Sequence, residues 1–328
     1  KAKMENKEPK SEYAYYVLTN IEFDIENISS SALNLDLSLD LLKKYVVKMD
    51  KFENDKDYES AITFYTNNLN HLKLLNGVKR VYLEIPPEND SLNLSFDEKY
   101  NLNYMVSFIK KAFEISAEKD HELIWKWPDI THDKLIKVFN KVRGILNKMH
   151  INIPIMSNAF NGEYGPYSMN IANTESIKSL ENYKLLTISP ELSKKDYEEI
   201  IRHCKHPEKI EMLVQGSVEL MKTRYQLLFG REKKQINDNC LIDRKDNKFP
   251  IHKSISGEEL ILFNSEELSL LEEIPHLKEI GYCNFSIDGR WREDDYVNVV
   301  DIYHSALNEN INIDELKKYS FKNTLGNY

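Results

Sequence analysis

Short apolar runs alternate with segments in which apolar residues recur at helical spacing over most of the chain. The runs are rich in Val, Ile, Tyr and Trp and stop at polar residues, proline or glycine, which is typical of buried strands. They cover residues 45–52, 80–85, 122–127, 153–156, 167–172, 185–189, 209–215 and 282–287. The segments at helical spacing are 58–75, 102–116, 133–149 (with Thr131 as its N-cap), 175–181, 194–204 and 294–307. This alternation predicts an α/β fold, a (β/α)8 TIM-like barrel.

One step of this pattern is irregular. Between Ile155 and Tyr167 the chain reads SNAFNGEYGP, which is too short and too rich in Gly and Pro for a crossover helix. Either the fourth helix is absent and the barrel is distorted there, or one of the two flanking strands is wrongly predicted.

A different pattern precedes the barrel. Residues 1–12 are polar and charged and are predicted to be a linker. Tyr13–Phe23 has strand character, and Ala32–Leu42 alternates leucine with polar residues, so residues 13–43 are predicted to form a β-hairpin or the end of a small β-unit. The barrel is expected over 44–328, and the chain is expected to be part of a longer protein.

Composition and charge narrow the possible partners. A net charge of −9 argues against a chain that wraps nucleic acid over its whole surface, although the basic run REKKQ at 231–235 could still contact RNA. No apolar run is long enough to cross a membrane, and we expect no signal peptide at the start of the chain. The three cysteines lack CxxC spacing, so a reducing, cytoplasmic location is expected, without a disulfide framework.

Polar residues at predicted strand ends are the candidate site residues. Glu191 and Glu211 could form a carboxylate pair for acid–base work or cation binding, or could instead cap a helix or pair with arginine. The candidate substrate-binding residues are amides, a hydroxyl and guanidiniums that would meet at the barrel mouth, namely Asn158, Asn170, Asn173, Ser189, Gln215, Arg224 and Arg244. The alternatives are turn hydrogen bonds for the asparagines and ion pairs for the arginines, including Arg290 with Asp288.

Two further clusters have simpler explanations. His203 and His206 flank Cys204, but no third or fourth metal ligand lies near in sequence. Trp125 and Trp127 share one face of a strand and could stack on a base, although packing inside the barrel explains them as well. No Ser-His-Asp spacing, GxSxG, HExxH, P-loop or GxGxxG motif is present.

Five segments in a fixed order resemble the collagenase-like U32 peptidase family. They are YSMNIAN (Tyr167–Asn173), TISPELS (Thr187–Ser193), IEMLVQGSVELMKTRYQ (Ile210–Gln226), LIDRKDNKFPI (Leu241–Ile251) and FNSEELSLLEEIPHLKEIG (Phe263–Gly281). The resemblance implies a barrel with either peptidase activity or a role in hydroxylation of tRNA or rRNA bases or of ubiquinone precursors. It also implies, for the hydroxylation members, an iron–sulfur cluster on four cysteines.

The chain departs from the family pattern at the cluster. Gln226 stands where the first cysteine would be, Gln215 stands where the family often has His, and three distant cysteines cannot supply four thiolates. We therefore expect no cofactor here and a catalytically degenerate barrel. The alternatives are a structural or substrate-positioning domain beside an active domain of the same longer chain, and an active hydrolase.

Overall fold

The structure is a computed structural model that describes residues 16–18, 46–48, 58–86, 88, 101–158, 162–224, 240–254, 259–319 and 323–328. The chain divides into two compact units, Lys1–Glu53 and Asn54–Tyr328. In the first unit, strand β1 (Tyr16–Leu18) pairs antiparallel with β2 (Val46–Lys48). The prediction that 45–52 forms the first barrel strand is therefore wrong. The predicted strand Ala32–Leu42 lies outside the described residues.

The second unit contains a closed parallel barrel. Its strands, numbered in chain order, are β3 (Ala61–Thr66), β4 (Arg80–Glu84), β5 (Glu122–Lys126), β6 (Ile155–Met156), β7 (Tyr164–Gly165), β8 (Leu185–Thr187), β9 (Ile210–Gly216) and β15 (Asn284–Asp288). Each pairs in parallel with the next, and β15 closes the ring by pairing with both β9 and β3. The predicted TIM-like barrel is confirmed.

The first barrel strand lies inside the segment predicted as a helix over 58–75. Ala61–Thr66 forms β3, and only Leu69–Leu74 is helical (α1), begun by Asn68 as its N-cap. Every residue of β3 is buried, because one face lines the barrel and the other packs under the helices. A strand buried on both faces has no alternating pattern, so its apolar residues also fit a helical spacing.

The remaining helices of the described residues lie between the strands. They are α2 (Leu102–Glu118), α3 (Asp133–Lys148), α4 (Thr174–Ser179), α5 (Lys194–Arg202), α6 (Ile274–Glu279), α7 (Val299–Leu307) and α8 (Ile313–Leu316). The side chain of His132, rather than the predicted Thr131, caps α3 by accepting a hydrogen bond from the Leu135 N–H. No helix in the described part of the chain is both long and apolar enough to span a membrane.

The irregular step is real, and one flanking strand was misplaced. Met156 of β6 pairs in parallel with Tyr164 of β7, so the strands are neighbours although only residues 157–163 connect them. The predicted strand 167–172 is instead a single 3-10 turn over Tyr167–Met169. That turn ends at Asn170, which adopts a left-handed conformation with φ of 57°.

An insertion between β9 and β15 adds an antiparallel sheet. It contains β10 (Glu219–Thr223), β11 (Cys240–Ile242), β12 (Lys248–Lys253) and β13 (Leu260–Phe263) in the order β10-β13-β12-β11. After it, β14 (Glu267–Ser269) pairs antiparallel with the end of β9, and β16 (Asn323–Thr324) pairs with β14. The insertion thus begins directly where β9 leaves the barrel.

The buried apolar residues of the described ranges form two separate clusters. Six side chains, those of Tyr65, Tyr82, Ile124, Met156, Tyr164 and Leu185, make up the smaller cluster, which lies inside the barrel. The larger cluster joins the strands to the helices, and it contains Trp125 and Trp127 packed on Phe139 of α3 with ring centroids 4.8 and 5.0 Å apart. The tryptophans therefore serve packing, but between the barrel wall and a helix rather than in the interior.

Candidate functional site

Charged side chains mark the carboxyl ends of three barrel strands. Glu84 is the last residue of β4, Lys126 the last of β5 and Asp288 the last of β15. Parallel strands deliver their final side chains to one end of a barrel, which is where TIM-barrel sites are built. The three side chains are almost fully buried, each with 3 or 4% exposure.

Arg290, two residues beyond β15, joins these carboxylates. Its guanidinium lies 2.6 Å from Asp288 Oδ2, 2.6 Å from Glu84 Oε2 and 2.8 Å from Glu219 Oε1, with no exposure of the side chain. The Arg290 Nε also donates to Asp288 Oδ1 at 3.0 Å. Several charge-assisted hydrogen bonds thus fix one buried cation among three carboxylates.

Two lysines extend this network. The Lys126 ammonium lies 3.7 Å from Glu84 and 3.9 Å from Asp129. Lys222 of β10 forms ion pairs with Asp129 and Glu219. We call these three cations and their carboxylates Glu84, Asp129, Glu219 and Asp288 the mouth network.

Burial and mutual attraction set the protonation of the mouth network. Burial alone would raise the pKa of Glu84, but the neighbouring Arg290 and Lys126 lower it below the ordinary value. Burial, together with Lys126 and Arg290, lowers the pKa of Lys222. Nearby, burial raises the pKa of the Glu259 carboxyl.

Glycine and aromatic residues close the space around Arg290. Gly216, at the end of β9, has φ of +128°, and a Cβ there would lie 2.7 Å from the Asp288 Cβ. Trp291 adopts a left-handed φ of 55° and stacks on His252 with ring centroids 4.6 Å apart. The Arg290 Cζ lies 5.2 Å from the Trp291 ring, so the guanidinium is covered by an aromatic face.

Beside the mouth network lies a cavity of about 220 Å³. Three segments wall it: the 3-10 turn after β7, the Ser-Pro-Glu turn after β8, and the start of β10. The lining residues are Tyr167, Ser168, Asn170, Ser189, Pro190, Glu191, Val218, Glu219, Leu220, Met221 and Lys222. Glu219 and Lys222 belong to both the cavity and the mouth network.

Two hydroxyl groups in the cavity wall lack partners. The Tyr167 hydroxyl and the Ser168 Oγ are buried atoms without a hydrogen bond in the described part of the chain. Burial raises the pKa of Tyr167 well above its ordinary value, so the phenol keeps its proton. Buried polar groups are nearly always paired, so these two hydroxyls are unusual in having no partner among the described residues.

A hydrogen bond links the Ser-Pro-Glu turn to the 3-10 turn. The Ser189 Oγ donates to Asn170 Oδ1 at 3.1 Å and accepts from the Glu191 N–H at 3.3 Å. The Glu191 carbonyl accepts from Asn327 Nδ2 at 2.9 Å. Three of the sequence-predicted residues, Asn170, Ser189 and Glu191, are therefore brought together at this cavity.

Glu211 lies elsewhere. It is the second residue of β9, fully buried, and it accepts hydrogen bonds from the Thr187 hydroxyl at 2.9 Å and the Tyr82 hydroxyl at 3.3 Å. Burial raises its pKa, against an opposing effect of Arg80. Glu191 is exposed at the cavity, and the structure does not pair it with Glu211.

The remaining sequence-predicted residues do not line the cavity. Gln215 is fully buried, donates to Glu267 at 3.0 Å and accepts from Tyr303 at 3.0 Å, so its amide links β9 to β14 and α7. Asn158 donates to the Asp129 carbonyl at 3.0 Å, and Asn173 caps α4. Arg224 and Arg244 are exposed, the latter in the turn between β11 and β12.

The cysteines do not fit an iron–sulfur cluster. Cys204 and Cys283 are buried, and burial raises the pKa of both thiols, that of Cys283 to about 11. Cys240 lies apart from them in β11. A cluster of the family type needs four thiolates, whereas the sequence holds three cysteines. Within the described residues, no group of three or more His, Cys, Asp and Glu side chains could hold a metal ion. His203 and His206 therefore do not belong to such a group. Gln226 and the run 231–235 lie outside those residues.

Comparison with known proteins identifies the family. The family model of peptidase family U32 matches residues 99–326, well over half of the chain. The chain belongs to peptidase family U32. None of the curated proteins matches the chain significantly.

Solved structures add only distant likenesses to this U32 protein. Thiamine phosphate pyrophosphorylase from Pyrococcus furiosus is 8% identical with a TM-score of 0.35, covering 75% of this chain and 92% of that one. The YdjI aldolase from Escherichia coli is 9% identical with a TM-score of 0.33, covering 79% and 85%. The spore cortex-lytic enzyme SleL from Bacillus megaterium is 9% identical with a TM-score of 0.26, covering 79% and 76%. The barrel assignment rests instead on the strand pairings.

Sequence reasoning missed most of the mouth network. Glu84 and Lys126 each end a correctly predicted apolar strand, and a charged residue in that place is the signal that could have revealed them. Tyr167 and Ser168 were predicted to lie in a strand, which concealed that they form a turn facing the cavity.

Proposed function

We propose that this U32 barrel is a substrate-positioning domain that binds a small polar ligand in the cavity without a redox cofactor and without catalysis. The observation that supports it most is the state of Arg290. Its guanidinium is bonded to three carboxylates and has no exposure. The charged groups of the mouth network are therefore paired with one another.

This mutual pairing of the charged groups disfavours catalysis. A general base must be able to accept a proton from a substrate, but Glu84, Glu219 and Asp288 share a guanidinium that stays charged at any physiological pH. Lys222 is likewise tied to Asp129 and Glu219. Each of these charged groups therefore stabilises the buried network and is not available to exchange a proton with a substrate.

The donor set and the charge also disfavour the family's RNA chemistry. Three cysteines cannot hold a four-thiolate cluster. The three cations of the mouth network face its four carboxylates, and Glu191 adds a fifth at the cavity. An excess of carboxylates repels phosphate groups. We propose a reducing, cytoplasmic setting, beside an active domain of the same longer chain.

Two assays on the anaerobically purified protein test this function. Iron and acid-labile sulfide are quantified, and a defined peptide library is incubated with the protein and analysed by mass spectrometry. We expect far less than one iron per chain and no cleavage beyond that of a heat-inactivated sample. A stoichiometric cluster, or cleavage by the native protein alone, would contradict the proposal.

An active hydrolase is the second candidate, and one observation favours it. Lys222 and Glu259 both have pKa values shifted towards their neutral forms, and such shifts concentrate at catalytic sites. If these groups catalyse hydrolysis, Lys222→Met should abolish peptide cleavage, while Lys195→Met on the exposed face of α5 should not. Equal results for the two variants would remove this candidate.

A further inference from the structure

The cavity beside the mouth network offers polar groups that the protein itself does not use. Tyr167 is 7% exposed, and its hydroxyl points to no partner in the described part of the chain. The Ser168 Oγ, on the next residue, is buried and equally unpartnered. Each hydroxyl carries a proton and has no acceptor among the described residues, so it can donate to a ligand oxygen that comes within reach.

Glu191, on the wall formed by the Ser-Pro-Glu turn, offers the opposite chemistry. Its backbone is held at both ends, by Ser189 at 3.3 Å and by Asn327 at 2.9 Å, so the residue is fixed in place. Its carboxylate is exposed and makes no hydrogen bond or ion pair with the described residues. A fixed carboxylate in a carboxylate-rich site favours a positively charged partner.

The third wall, at the start of β10, combines apolar side chains with Glu219 and Lys222, which pair with each other. Val218, Leu220 and Met221 line it, and the last two are 50% and 39% exposed. The volume of about 220 Å³ is below the usual range for drug-sized ligands and suits a single amino-acid residue.

We propose that the cavity binds the amino-terminal end of a hydrophobic residue. Glu191 pairs with the primary ammonium, Tyr167 and Ser168 donate to the neighbouring carbonyl oxygen, and Leu220 and Met221 contact the apolar side chain. This inference rests on the proposed substrate-positioning function and names the chemical class of ligand. The ligand is a free amino terminus, supplied by an amino-acid amide or by a peptide.

Ligand-observed NMR with leucinamide tests the inference at constant ionic strength. N-acetylleucinamide is the matched ligand, because it keeps the carbonyl and the side chain but lacks the ammonium. Glu191→Gln removes the charge, Tyr167→Phe removes only the hydroxyl, and Glu175→Gln, on the surface of α4, is the control. Each variant is first checked for a native thermal transition.

We expect the native protein to bind leucinamide. N-acetylleucinamide should bind at least about tenfold more weakly, and Glu191→Gln should bind leucinamide at least about tenfold more weakly, because each change removes a charge-assisted hydrogen bond. Tyr167→Phe should weaken binding about fivefold or more for the loss of a neutral bond. Glu175→Gln should leave it unchanged. The inference would be overturned if the native protein did not bind leucinamide, if it bound the acetylated ligand equally well, or if Glu191→Gln bound leucinamide as the native protein does. Displacement of leucinamide by adenosine monophosphate, added as a competitor, would also overturn it.

The two proposals can fail separately. A protein that cleaves peptides, yet binds leucinamide through Glu191, would contradict the positioning function and keep the ligand class. A protein that neither cleaves peptides nor binds leucinamide would leave the lack of catalysis intact and remove the ligand class.

Discussion

Removing the central cation of the mouth network should destabilise the barrel strongly. Arg290→Met keeps much of the side-chain volume but deletes the partner of three buried carboxylates, Asp288, Glu84 and Glu219. Lys126 remains near Glu84, and Lys222 remains near Glu219, whereas the Asp288 carboxylate loses its cation. Breaking a buried pair in this way costs about 3–5 kcal/mol in free energy of unfolding.

Urea unfolding followed by tryptophan fluorescence measures this change. All three tryptophans, Trp125, Trp127 and Trp291, lie in the Asn54–Tyr328 unit, so the signal reports on the barrel alone. Arg202→Ala is the control, since its ion pair with Glu199 is on the surface and is worth about 0–1 kcal/mol.

A double-mutant cycle with Asp288→Asn isolates the pair. Once Arg290 is gone, neutralising Asp288 should recover about 1–3 kcal/mol, because the buried charge no longer lacks a partner. The deficit of Arg290→Met should also shrink as pH falls below 5. Arg290 and Lys126 lower the pKa of Glu84, so its contribution is present above the unfolded pKa and is lost in acid. A loss below about 1 kcal/mol, or additive single changes, would refute the structural role of the network.

Three further outcomes follow from single residues. Burial raises the pKa of Glu211, so the wild-type barrel loses stability as this carboxyl ionises above pH 4.5. The stability of Glu211→Gln relative to the wild type should therefore increase with pH, by about 1.4 kcal/mol for each unit by which the pKa is raised. Thermal unfolding between pH 4 and 8 checks this, and a constant difference would contradict it. Gly216→Ala should lower the free energy of unfolding by about 1–3 kcal/mol, because the added Cβ meets Asp288 at a φ that disfavours L side chains. Gly144→Ala, on an open face of α3, is the control and should not lower it. Equal unfolding midpoints of the two variants in urea would contradict the close approach of Gly216 to Asp288. Tyr167→Phe should leave the free protein as stable or about 1 kcal/mol more stable, because the hydroxyl has no partner there; a clear loss in calorimetry would mean that the hydroxyl is already bonded.

Hydrophobic pattern predicted the barrel because most of its strands and helices have distinct periods. The predicted strands 80–85 and 122–127 match β4 and β5 within one residue, and the helix 133–149 matches α3. The pattern failed where a period was absent. Ala61–Thr66 is buried on both faces and therefore resembled a helix, and β7 has only two residues, too few to show any period.

The candidate site was predicted less well, because side-chain partners come from distant parts of the chain. Ser189 and Glu191 were found because they follow an apolar run in a Ser-Pro-Glu turn, and Asn170 was found although its turn was predicted to be a strand. Arg290 meets Glu84 across 206 positions of sequence, and no local pattern indicates that contact. Gln215 ended a strand as expected, but the register of β9 against β14 directs its amide to Glu267 rather than to the cavity.

Binding without turnover is the central claim, and real-time NMR of one peptide tests it directly. The amide of Leu-Gly-Gly, with a free amino terminus, is incubated with the native protein and observed over many hours. We predict exchange broadening of the leucine signals, which Glu191→Gln weakens, while the peptide remains intact. Release of free leucine by the native protein, but not by the Lys222→Met variant, would contradict the account.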